Sequence, residues 1–173
     1  MKRNHSKRIA LLLAAALLLL ALLTACGPAE PTETDAEPAV QTAPPALTLT
    51  AGEQTLLLTP RTYEWNYDNS DGTSTGVNAD ASHPLDALSE LETVDAAAAG
   101  GAVEIVLEDG MTVTDVNWWD QAETDLANQQ PGAGELIAGE PAVYRIPVES
   151  GRVYELRVDF GASGNSFYAF AVN

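Results

Sequence analysis

The sequence predicts an all-β fold over residues 47–173, an antiparallel β-sandwich, on three observations. Short runs alternate apolar and polar side chains, the period of a strand with one face buried. Clusters of Gly, Asp, Asn and Pro separate those runs at spacings of about 8–12 residues. The stretch holds roughly 125 residues, the common size of a domain with one core.

The runs follow in order. Residues 47–50 alternate apolar and hydroxyl side chains, and Ala51-Gly52-Glu53 turns the chain into a second run at 54–58 that Pro60 closes. At 62–67 the aromatics Tyr63, Trp65 and Tyr67 fall on one face, as a half-buried strand requires. Asp68-Asn69-Ser70-Asp71-Gly72 is a turn cluster, and the chain stays polar to Ser82. His83 precedes a proline and is biased toward extended backbone. Leu85, Leu88 and Leu91 recur at three-residue spacing, so one short helix is expected within 86–99, ended by Gly100-Gly101.

A strand at 103–107 and a turn at Glu108-Asp109-Gly110 lead to the run 111–119. Strict alternation there puts Met111, Val113, Asp115, Asn117 and Trp119 on one face and Thr112, Thr114, Val116 and Trp118 on the other. A polar loop is expected at 121–134, then strands at 142–148, 153–160 and 167–172. Within 153–160, Tyr154, Leu156, Val158 and Phe160 oppose Val153, Glu155, Arg157 and Asp159, the pattern of a sheet with one wet face. Seven to nine such strands point to a sandwich of immunoglobulin-like type, with Trp65 or Trp118 as its core tryptophan. A small barrel is the alternative.

The N-terminus reads differently. A basic stretch, residues 1–8, precedes an unbroken apolar run at 9–23, too short for the ~20 residues a spanning helix needs and suited to a signal peptide. Leu23-Thr24-Ala25-Cys26 follows, and Cys26 is the one cysteine of the chain. The four residues resemble the bacterial lipobox. What that implies is lipid on the Cys26 thiol and cleavage before it, so the expected location is extracytoplasmic, at a membrane held through the lipid. Two acyl chains anchor stably where one is marginal, at about 0.8 kcal/mol per buried methylene. Residues 26–46 then form an expected linker, rich in Pro and acid and without aromatics, that cannot repay its own ordering.

All 25 carboxylates lie beyond Cys26, against four arginines there (61, 145, 152 and 157). Such a chain lacks the cations that neutralise phosphates, which excludes nucleic acid as a partner. Tyr63-x-Trp65, the Asp-Gly loop, Ala79-Asp80-x-x-His83-Pro84-Leu85, Tyr154 and the closing residues 167–172 together resemble a set of small clostridial-type (Firmicutes) surface lipoproteins of uncharacterised function. The resemblance covers most of 47–173. It implies compartment and fold and carries no activity.

No catalytic set is legible. His83 is the one histidine after the signal segment, no nucleophile elbow occurs, and the cysteine is committed to lipid. One histidine without a second cysteine excludes the usual zinc sets. Calcium is the candidate cation, through Asp68, Asp71 and Asp80 in a site outside the EF-hand register, since counting back from Gly72 places Tyr67 at the first ligand position. The candidate ligand-binding residues are Trp118, Trp119 and Asp120: adjacent strand residues point to opposite faces, so one indole faces away from the core.

The expected function is therefore non-enzymatic: binding or sensing of a protein or envelope component at the membrane face. The alternatives are a protease inhibitor acting through a loop at 68–82 or 121–134, and a carbohydrate-binding module using an exposed tryptophan.

Overall fold

Alternation in the sequence becomes two sheets packed face to face, because each sheet has one apolar side that must leave water. A computed structural model describes residues 40–123, 131–139 and 142–173. The segment expected to be a signal peptide (residues 1–25), Cys26 and most of the expected linker lie outside these described residues. The strands are β1 (Leu47–Ala51), β2 (Gln54–Leu58), β3 (Tyr63–Asp68), β4 (Ser74–Ala79), β5 (Glu92–Val94), β6 (Ala102–Val106), β7 (Thr112–Asp120), β8 (Gly132–Ala133), β9 (Ile137–Ala138), β10 (Val143–Pro147), β11 (Arg152–Asp159) and β12 (Gly164–Val172).

One sheet runs β2-β1-β6-β10-β9, and the other runs β4-β3-β12-β11-β7-β8. Every pairing is antiparallel except that of β5, which lies parallel to the last residues of β12. The fold is an open β-sandwich and not a closed barrel. Its core takes Leu49, Val103, Ile105 and Ile146 from the first sheet, and Trp65, Val116, Leu156, Val158, Tyr168 and Phe170 from the second. Tyr154 and Phe170, direct cross-strand partners, stack at 5.4 Å. The Tyr154 hydroxyl accepts from the Glu149 amide at 2.9 Å, and so satisfies its polar end.

Residues 40–46, expected in the linker, belong to the domain. The Gln41 carbonyl accepts from the Trp65 indole Nε1 at 2.8 Å, and the Pro45 carbonyl from the Tyr168 hydroxyl at 2.7 Å. Pro44 is buried. Burial pushes the Tyr168 hydroxyl pKa up to about 12, against a weaker opposing hydrogen bond from Ser166. Local composition marked this stretch as unfoldable because its partners lie more than twenty residues away.

Three other expectations change. The polar stretch after Gly72 contains β4, which pairs with β3 along its whole length from Tyr63↔Ala79 to Asp68↔Ser74. The short helix is two pieces, a 3₁₀ segment Pro84–Glu90 and a helix Ala96–Ala99, with β5 between them. Asp95 caps the second piece, its Oδ1 accepting from the amides of Ala97 and Ala98. Neither is long and apolar enough to cross a membrane, and the same holds for every helix among the described residues.

The third change concerns β7. Arg157 pairs with Asp115 but Val158 with Val113, so Thr114 is an extra residue, a β-bulge. The bulge resets the phase: Val113 and Val116, three apart, both enter the main core, whereas strict alternation would have separated them. From Asp115 onward the expected faces hold.

Candidate functional site

The second sheet has an outer face that is not uniformly wet. Val153, Trp119, Ala169 and Ala171 point outward from three adjacent strands and are buried. Their cover is the 3₁₀ segment. The segment kinks at Ala87 and ends at Leu91, which is its extended C-cap, and Leu85, Leu88 and Leu91 pack on the outward cluster. His83 starts the segment: its Nδ1 accepts from the Leu85 amide at 3.3 Å, and its ring meets Trp119 edge-on at 4.8 Å. His83 is a capping and packing residue here. The Arg61 guanidinium donates to the Ser82 carbonyl at 2.9 Å and ties down the chain leading into the cover.

Trp119 is therefore sealed, at 7% exposure. Trp118 faces the other way and is half-buried against the main core. The Arg152 guanidinium lies 3.6 Å over its ring and is itself paired with Glu149 at 2.8 Å. Its indole Nε1 donates to the Ala133 carbonyl at 3.2 Å. Gly132, its cross-strand partner, sits so close that any side chain there would collide with the indole. Neither tryptophan offers a bare flat platform. Asp120 is exposed and accepts from the Ala122 amide, which closes a turn. Of the loop expected at 121–134, residues 124–130 lie outside the described residues.

The three aspartates proposed for calcium do not converge. Asp68 accepts from the Ser74 hydroxyl at 2.6 Å, and Asp71 from the amide and hydroxyl of Thr73. Those bonds from Thr73 hold the exposed Asp71 carboxyl below its ordinary pKa. Asp80 follows the far end of the β3–β4 hairpin, roughly 20 Å from the turn at about 3.3 Å per residue. Among the described residues no group of three His, Cys, Asp or Glu side chains could hold a metal ion.

Among the described residues, two of the concave regions bring aromatic and charged side chains together. The larger, about 630 Å³, lies at the end of the sandwich where the β3–β4 turn, the 109–111 turn and the 160–163 segment meet. Trp65, Tyr67, Met111 and Phe160 supply apolar walls, and Asp68 and Asp109 supply carboxylates. Trp65 and Phe160 contact edge-to-face at 5.3 Å, which fixes both rings. No basic residue lines this cleft. Two carboxylates and no cation line the cleft, so its potential is negative and suits a positively charged group.

The second region crosses the uncovered half of the outer face. A groove of about 540 Å³ is lined by Thr62, Glu64, Asn78, Asp80, Asn165 and Phe167, among others, with Arg157 at its edge. A smaller hollow continues past Arg157 to Thr114 and Asp159. Sequence reasoning missed both regions, since each gathers residues from at least three separated segments. Comparison with protein-family models, curated proteins and solved structures finds no match for this chain.

Glu155 stands between the sealed and open halves. Burial raises its carboxyl pKa, Arg61 opposes that shift, and Asp115 adds to it.

Proposed function

We propose that this chain is an extracytoplasmic lipoprotein, anchored through lipid on Cys26, whose β-sandwich is a non-catalytic binding module for a protein partner. The loop-end cleft takes a positively charged side chain of that partner. The observation that carries this reading is the cleft's composition: four apolar or aromatic walls and two carboxylates, with no cation of its own. Asp109 makes no side-chain hydrogen bond among the described residues, and Asp68 uses one oxygen on Ser74. Both carboxylates therefore have acceptor capacity left for a guanidinium or ammonium.

The lipid anchor holds the domain at the membrane, and the proline-rich residues before Val40 set its distance from the surface. Two measurements test the proposal. Radiolabelled palmitate enters the wild-type chain and not Cys26→Ser if the anchor is correct. A photo-cross-linking residue at Met111 gives one discrete adduct on intact cells, and Asp68→Asn with Asp109→Asn removes it. An adduct that survives the double substitution, or none at all, overturns the cleft as the partner site.

A further inference from the structure

The outer face of the second sheet is sealed over one half and open over the other, and the open half carries a distinctive set of side chains. Arg157 on β11 lies beside Phe167 on β12, its guanidinium 5.7 Å from the ring centre. Asn165 flanks them, and β3 and β4 add Glu64 and Asn78. Among the described residues, the side chains of Glu64, Asn78, Arg157 and Asn165 make no hydrogen bond and no ion pair. That is unexpected for Arg157, because Glu155, Asp159 and Asp115 are its neighbours along and across the sheet. β3, β12 and β11 lie inside the sheet, so over them the side chains are the groups left to bind, and β4 is its edge strand.

The donor and acceptor types limit what can bind. Arg157 donates only, Glu64, Asp80 and Asp159 accept only, and the two amides do both. A simple anion meets the carboxylates, and a simple cation meets the guanidinium. A neutral ligand dense in hydroxyls can donate and accept at every step, and its C–H faces can pack on the Phe167 ring. The two hollows together run from Asn78 on β4 to Thr114 on β7, across five adjacent strands. At about 4.8 Å per strand that is a track of roughly 19 Å, long and shallow. A single small molecule would leave most of it wet. We infer that the open half of this face is a second binding site, for a neutral oligosaccharide chain laid across the strands.

This site shares no charged residue with the loop-end cleft and stands or falls apart from it. The test is calorimetric titration of the full chain, solubilised in detergent. The probes are cellotetraose and the β-1,4-linked tetramer of N-acetylglucosamine, with heparin and polylysine as charged controls. The expected result is saturable binding of at least one neutral tetramer, insensitive to added salt. Arg157→Ala and Phe167→Ala each weaken it at least tenfold, and Asp68→Asn with Asp109→Asn leaves it unchanged. Thermal melting shows that each variant is folded. Failure of both tetramers overturns the inference. So does binding confined to a charged control and lost in salt, or binding that survives Arg157→Ala and Phe167→Ala.

Discussion

One face of one sheet does two different things. Around Trp119, Val153, Ala169 and Ala171 it is covered by Leu85, Leu88 and Leu91 and behaves as a second, smaller core. Around Glu64, Asn165, Arg157 and Phe167, on the same strands or their neighbours, it stays open and polar. Strand alternation runs through both halves, broken only by the bulge at Thr114 in the open one. The difference is the side chains that alternation delivers outward, and whether a segment of chain is available to lie over them. The sealed half gives stability, and the open half leaves polar groups free at no cost to the core.

The contrast can be broken most directly at Trp119. Trp119→Ala empties the covered cluster and should destabilise the domain by about 3 kcal/mol, the low end for a large aromatic in a core. Chemical denaturation of the variant measures it. A loss below about 0.5 kcal/mol, the range of ordinary surface changes, would mean that the cover does not seal the face.

Glu155 sharpens the boundary between the halves. Its carboxyl pKa is raised in the fold, chiefly by burial, so the fold favours the protonated form. The stability this contributes is present below the carboxyl's ordinary pKa and is lost as pH rises through the higher folded value. Ionised Glu155 therefore works against the fold at neutral pH. Glu155→Gln should raise the melting temperature at neutral pH, with the gain disappearing in acid. An equal gain at both pH values would assign the effect to something other than its charge.

The smallest expected effect on stability belongs to the open half. Arg157 is exposed and makes no ion pair among the described residues, so Arg157→Ala should shift stability by no more than about 0.5 kcal/mol. A melting curve that falls as far as that of Trp119→Ala would make the guanidinium structural and remove the contrast.

Much of this was legible beforehand. The strand runs around Trp65 and Leu156 announced themselves by period two and those around Ile105 and Phe170 as short runs between turns, whereas the leucines at 85, 88 and 91 marked a helical segment without showing its kinked 3₁₀ form. β4 was not legible, because Ser74–Ala79 carries one large apolar residue and is held as a strand by pairing with β3. The bulge at Thr114 left no mark in composition, since it is a property of register between two strands. The tryptophan pair was correctly split between faces, but burial of Trp119 depends on a segment thirty residues away, and local pattern has no access to that.

By itself the sequence determined the class of the fold and, away from the bulge at Thr114, the layer that the alternating residues of β3, β7 and β11 join. Those follow from local quantities: side-chain period and turn chemistry. The tertiary structure decided where the domain begins, which tryptophan is sealed, that the three aspartates stay apart, and which half of a sheet face remains open. Each of these depends on which distant segments meet. Hydrophobic burial is non-directional, and the identity of its partners is fixed only when the whole chain packs.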